Sequence, residues 1–329
     1  FDFLSSDPEV SAIGIPYWKA RIFALVAVGM NFAFRGYWNG VNRSGLYLRT
    51  LLVMHAVNIF LNWVLIFGHL GMPALGATGA GIGTTCSLWI GTLYYVFLGR
   101  RYAGEAGFLR GIPSRETLRS MLRLSVPSGI QQLFFAAGMT ALAWIVGKVG
   151  TDELGAVNVL LNVTMVALLP GLGLGIVAAS LVGQALGRGE PDEARRWGWD
   201  VVQVGVILLG SLGLPMLLVP DAILAIFIHE PHVIEVARMP LQISGATIAV
   251  EGLGAVLLNA LIGAGDTRRV MVVSVIMQWL CFLPAAFVIG PTLGYGLVGV
   301  WLANAGYRAV QAAIFAGLWR GGKWATIKV

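Results

Sequence analysis

Residues 243–269 read ISGATIAVEGLGAVLLNALIGAGDTRR. Some twenty of these residues carry no formal charge apart from one glutamate, Glu251, and the run then closes on Asp266, Arg268 and Arg269. A bilayer core of ~30 Å needs about 20 apolar residues per helix. The stretch therefore reads as a membrane span, and a carboxylate inside it is a functional-site hypothesis by default, because burying it is costly. The rest of the chain agrees: 57% of its 329 residues are hydrophobic and 12% charged, about half the charge of an ordinary soluble domain at ~25%. Its 44 glycines lie inside apolar runs without a three-residue period, as in membrane helices rather than linkers or collagen.

Windows of the same kind recur at 17–40, 48–68, 77–99, 122–148, 155–186, 198–220, 236–262, 270–289 and 295–319. The fold class is thus all-α, a polytopic membrane protein of nine transmembrane helices. Pro170 and Pro284 fall inside spans and are expected to kink them. Gly171, Gly175, Ala179, Gly183 and Gly187 recur every fourth residue, a stripe that lets helices approach closely in lipid.

The net charge of +6 is spread over loops rather than gathered on one face, which points to topology and not to nucleic acid. One set of alternate loops plus the C-terminal tail carries 16 Lys and Arg residues, and the opposite set carries 4. The positive-inside rule then places the C-terminus in the cytoplasm of a multi-pass plasma (inner) membrane protein. The loop from Arg100 to Arg123 becomes cytoplasmic, and it can also lie on the inner leaflet as an amphipathic linker. Arg35 and Arg308 are assigned to spans, near helix ends. Cys86 and Cys281 sit in apolar segments and form no disulfide framework or metal site.

An internal repeat is visible. DPEV at 7–10 pairs with EPHV at 230–233, an offset of 223 that also pairs Gly40 with Gly263 and Ser44 with Thr267. LGATGAGI at 75–82 then matches YGLVGVWL at 295–302. Three spans, residues 122–220, precede the second copy and six residues precede the first, so about three helices are expected to be absent before Phe1. Residues 17–99 should superpose on 236–319. The domains expected are 1–99 as the remnant of an N-terminal lobe (helices 4–6), 100–121 as a cytoplasmic inter-lobe linker and 122–329 as a complete C-terminal lobe of six helices. Repeats of this kind are a recurring feature of secondary transporters.

LVGQALGRGEPDEARRWGW, from Leu181 onward, resembles the motif at the cytoplasmic end of the second helix of each half in the multidrug and toxic compound extrusion (MATE) family. Its matching residues are Leu181, Val182, Gly183, Gln184, Gly187, Gly189 and Ala194. Leu261, Gly263, Ala264, Gly265, Asp266, Thr267 and Arg268 match the family's pattern after the fourth helix, and FRGYWNGVNRSG and NIFLNWVLIFG give weaker matches in the first half. The resemblance covers nearly the whole chain, as helices four to twelve. It implies a MATE-like twelve-helix fold of two lobes in a V with a central cavity. It also implies antiport of cationic or amphipathic organic compounds against H+ or Na+, with no other cofactor.

Glu251 is the only acidic residue well inside any span, and it falls where one branch of the family carries an aspartate involved in cation coupling. Ser244 and Thr247, seven and four residues earlier, share its helical face. Gln131, Gln132, Asn158 and Asn162 are candidates for the substrate cavity, or else interhelical glue. In that branch the seventh helix often carries its own glutamate. Here Phe135 or Ala136 stands in its place, which puts a multi-carboxylate sodium site in doubt. His229 and His232 have H-x-x-H spacing in an outer loop without a third ligand and read as a surface pair. His55 reads as a packed helix residue. Asp266 caps its turn or pairs with nearby arginines. The partners expected are small organic molecules and the bilayer, with no nucleic acid, and the protein as a monomer. Neither H-E-x-x-H nor G-x-S-x-G occurs, so an enzyme is not expected. A flippase for a lipid-linked or polysaccharide precursor, or an inactive fragment, remains the alternative.

Overall fold

The structure, a computed structural model, describes residues 8–227 and 230–327. They are helical, with no strand among the described residues. The chain divides into two compact units, residues 1–113 and 114–329.

The first unit holds α1 (Pro8–Ile22), α2 (Ala24–Gly40), α3 (Ser44–Phe67) and α4 (Gly76–Tyr102). The first expected span is a bent pair, α1 and α2, meeting at 44° around Phe23. Trp38, Tyr95, Leu98 and Ala103 form its buried cluster, with Phe34 stacked on Tyr95 at 5.1 Å between ring centroids. Polar side chains tie the helices where lipid offers no partner: Thr92 donates to the Asn31 side chain, and Asn58 donates to Thr84 and Ser87.

The second unit holds α5 (Arg115–Gly147), α6 (Thr151–Gly187), α7 (Pro191–Leu218), the short α8 (Pro220–Leu224), α9 (Pro231–Gly263), α10 (Thr267–Ile276), α11 (Leu283–Phe287) and α12 (Gly296–Arg320). Its central helix is α9, packed against α6, α7 and α12. The small-residue stripe of α6 makes this possible. Gly171 abuts Leu209 of α7, Gly175 abuts Asn259 of α9, and the Ala179 backbone lies against Gly263. The α7–α9 crossing is equally close, with Gly213 against the Gly245 carbonyl and Gly245 against the Gly213 carbonyl and the Leu217 nitrogen.

That crossing yields a stability prediction. A methyl at Gly245 would stand 2.7 Å from the Gly213 carbonyl oxygen and 2.9 Å from the Leu217 nitrogen, both backbone atoms. Backbone cannot rotate away, so Gly245→Ala should cost about 1–3 kcal/mol by overpacking. Gly129→Ala, in α5 with nothing within 4 Å of its new methyl, should be neutral or slightly stabilising, since alanine is the better helix former. Thermal unfolding of both variants in the same detergent decides it.

The repeat is written into the turns. After α2 the N–H groups of Val41, Asn42 and Arg43 donate to the carbonyls of Tyr37, Asn39 and Trp38; after α9 those of Ala264, Gly265 and Asp266 donate to Ala260, Ile262 and Leu261. Each donor and acceptor pair is displaced by the same 223 residues. The left-handed residue of each turn is Asn42 (φ 56°) in one copy and Gly265 (φ 83°) in the other, residue types that tolerate this region. Gly76 (φ 53°) and Gly296 (φ 58°) likewise open α4 and α12.

Pro170 leaves α6 unbroken. Between residues 267 and 292 the helix widens twice into π-turns, Met277–Phe282 and Val288–Thr292, flanking the segment with Pro284. Proline lacks an N–H and cannot close the normal ladder, and a wider turn is a known way of accommodating the break.

Seven described helices are long and apolar enough to cross a membrane, eight if the bent pair counts as one. Nine spans were expected. The ninth, α12, is 25 residues long, but Asn304, Tyr307, Arg308 and Gln311 dilute its apolarity. Its Trp301, Tyr307, Phe315 and Trp319 are buried in protein, so a window of apolar residues is a poor measure of this helix.

Candidate functional site

The sequence candidates separate into three groups. Ser244 is buried and its hydroxyl accepts a 2.9 Å hydrogen bond from the Trp301 indole. Its polarity is therefore spent on joining α9 to α12. Thr247 is half-buried and donates to the Ile243 carbonyl of its own helix. Gln131 reaches Ser274 of α10 at 3.4 Å, while Gln132 is exposed on the unit's surface. Asn158 and Asn162 are exposed one turn apart on α6, where the Asn162 amide donates to the Asn158 carbonyl.

Glu251 is half-buried on α9, and the packing of α9 on α12 fixes what it faces. Ser244 meets Trp301, and a methyl on Gly254 would touch the Ala312 methyl at 3.2 Å. Residue numbers rise together along both helices, so the two run parallel. Seven residues, about 10.5 Å of helix rise, lead from Ser244 to Glu251 and from Trp301 to Arg308. Two turns later each residue is back on the same face. Glu251 and Arg308 thus stand at one level and face the α9–α12 seam together.

The sequence reading placed Arg308 near a helix end. α12 runs from Gly296 to Arg320 and puts it twelve residues from either end. Its guanidinium lies 4.9 Å from the centroid of the Tyr307 ring and makes a long 3.4 Å contact with the side-chain oxygen of Gln311. Its buried Nε has no partner. Tyr307 lies within electrostatic reach of both Arg308 and Glu251, and its ring stacks on Phe282 at 4.8 Å. The site is a carboxylate, a guanidinium and a phenol between two helices. One signal in the sequence pointed to it: the charge at the centre of the 295–319 window.

A second polar group was not foreseen. Gln278, buried in the first π-turn, donates to the Phe135 carbonyl and fills space that Gly138 leaves open. Trp279 donates to the neighbouring Phe134 carbonyl. An amide thus stands beside the place where the resemblance leads one to look for a glutamate, and the only acid on α5 is Glu116, in its first turn.

The motif residues at helix ends are structural. Arg188 bridges Glu190 at 2.7 Å and Glu193 at 2.9 Å, and Glu193 accepts from the Trp197 indole, so the α6–α7 turn is laced by its own side chains. Asp266 is buried and pairs with Arg269 at 3.0 Å. Burial pushes its carboxyl above the usual range, against the pull of Arg269. His229 lies outside the described residues; His232 is exposed. No group of three or more His, Cys, Asp or Glu among the described residues could hold a metal ion. His55 is exposed rather than packed.

Fold and site together define a multi-pass α-helical membrane protein with Glu251 and Arg308 at one level of its α9–α12 seam. The MatE family model matches residues 127–288. A probable multidrug resistance protein NorM of Thermotoga maritima is 25% identical, over 93% of this chain and 67% of that protein. One of Brucella suis is 28% identical, over 97% and 70%. Among solved structures, a MATE transporter in the outward-facing conformation superposes with TM-score 0.88 at 17% identity, covering all of this chain and 73% of that one. A MATE in the bent conformation gives 0.87 at 18%, covering 97% and 71%. By its family-model match, its relatives and its fold, the chain is similar to the MATE transporters.

Proposed function

We propose that the protein is a secondary active multidrug efflux antiporter that exports cationic or amphipathic organic compounds in exchange for protons, with Glu251 as the coupling residue. The names of its relatives support multidrug efflux. The observation that carries the coupling assignment is the facing of Glu251 and Arg308 at one level of the α9–α12 seam. Ionised Glu251 balances Arg308 and leaves the level neutral. A cationic substrate entering competes with Arg308 for the carboxylate. A proton arriving at Glu251 removes the negative charge, and the guanidinium then repels the substrate cation. Binding of proton and of substrate thereby exclude one another, which is the requirement of antiport.

Protons are favoured over sodium for the same reason. A sodium ion needs several oxygen ligands and is repelled by a guanidinium, and the acid that would complete such a site on α5 is absent there. In vesicles containing the full-length protein, an imposed pH gradient without sodium should drive uptake of a fluorescent organic cation. Uptake that follows a sodium gradient alone would sink the proton assignment.

Flipping of an anionic lipid-linked precursor gains one cation from the central position of Arg308. Glu251 opposite cancels that charge, so the antiporter reading stands ahead.

For orientation, the 16-to-4 asymmetry of basic residues supports a cytoplasmic position for Arg100 to Arg123. With Cys86 and Cys281 replaced by serine, a cysteine at Ser114 should resist membrane-impermeant thiol reagents in intact cells and react after lysis. Equal labelling in both would invert the topology.

A further inference from the structure

A cavity of about 750 Å³ opens in the second unit between residues 122–127 of α5, the first turn of α10 and the end of α12, a volume within the usual range of ligand pockets. Its wall has two chemistries. Arg123, Arg268 and Arg269 provide guanidinium groups, and Val126, Val272 and Leu318 provide an apolar face. Asp266 also lines it, but its carboxylate is paired with Arg269. Arg123 and Arg268 are exposed and make no ion pair among the described residues. Two positive charges are therefore uncompensated.

Position adds a second constraint. The apolar stretches of the two flanking spans begin at residues 122 and 270, so the arginines stand where hydrocarbon gives way to water and the valines begin the hydrocarbon. The first turn of α10 also lies in the wall, and first-turn N–H groups have no intrahelical acceptor.

We propose that this cavity is a binding site for an anionic phospholipid, its phosphodiester held by Arg123 and Arg268 and its acyl chain laid along Val126, Val272 and Leu318. Guanidinium groups suit phosphate because they donate in a planar fork, and basic pockets at the ends of membrane helices hold acidic head groups in this way. A neutral phosphatidylcholine would leave both arginines uncompensated. A free phosphate would leave the apolar wall unused.

The test is native mass spectrometry of the full-length protein released from mixed micelles of phosphatidylglycerol and phosphatidylcholine. Wild type should retain one phosphatidylglycerol with at least about tenfold preference over phosphatidylcholine. Arg123→Gln with Arg268→Gln should lose that preference, and Arg123→Lys with Arg268→Lys should keep part of it. Arg115→Gln with Arg119→Gln, on the same helix but outside the cavity, should leave it unchanged. Melting temperatures confirm that each variant is folded. Competition arms with inorganic phosphate and glycerol phosphate separate lipid from free anion. Equal retention of both lipids, loss of preference in the Arg115/Arg119 control, unaltered preference in the Gln pair, or displacement by millimolar phosphate would each overturn the assignment.

Discussion

Replacing Glu251 by glutamine is expected to reduce proton-driven exchange of organic cations by at least a hundredfold while the protein still accumulates in the membrane. Glutamine keeps the length and hydrogen-bonding capacity of a protonated glutamate, but it can neither release a proton nor carry charge. Loss of protein should be small, because Arg308 keeps the Tyr307 ring and the Gln311 contact when the carboxylate is gone. If Glu251 only joined helices, glutamine would serve nearly as well and exchange would continue. Exchange should be followed in vesicles of the full-length protein under an imposed pH gradient, with the melting temperature measured in parallel. Wild-type rates in Glu251→Gln would remove the coupling role and leave the residue as interhelical glue.

Much of this architecture is legible in the sequence, and the reasons differ from element to element. The helices α3 to α7 and α9 announce themselves because lipid demands long apolar runs, and their ends carry glycine, proline or charge. The repeat is legible because its turns need particular backbone, so Asn42 and Gly265 mark one position in two copies. The break at Phe23 and the π-turns around Pro284 are not legible, since each depends on how a helix meets its neighbours. The candidate site divides the same way. Glu251 stands out by charge alone. Ser244 shares its face, yet the structure gives its hydroxyl to Trp301, a contact that no spacing within α9 reveals. Arg308 was misplaced because the polar residues of α12 obscure where the helix begins and ends. Only the register against α9 brings it level with Glu251.

That register carries the second large effect. Arg308→Gln should lower exchange at least tenfold, close to the loss in Glu251→Gln, and the double variant should be no worse than the poorer single one. The reasoning concerns the empty site. An ionised carboxylate inside a membrane bundle is tolerated when an opposite charge faces it. Without the guanidinium, no opposite charge at that level offsets the ionised carboxylate, and the exchange step that needs it is impaired. Residues that act as one unit give losses far from multiplicative. If Arg308 were only a packing residue, its removal would lower the melting temperature and multiply the defect of Glu251→Gln. Arg308→Lys separates charge from shape: it keeps the positive charge but forfeits the planar contact with Tyr307, and should retain a measurable part of the exchange that Arg308→Gln loses. Exchange rates of the four variants and wild type, each normalised to folded protein, decide the matter. Multiplicative losses, or a lysine variant as inactive as the glutamine one, would break the link between the two charges and return Glu251 to acting alone.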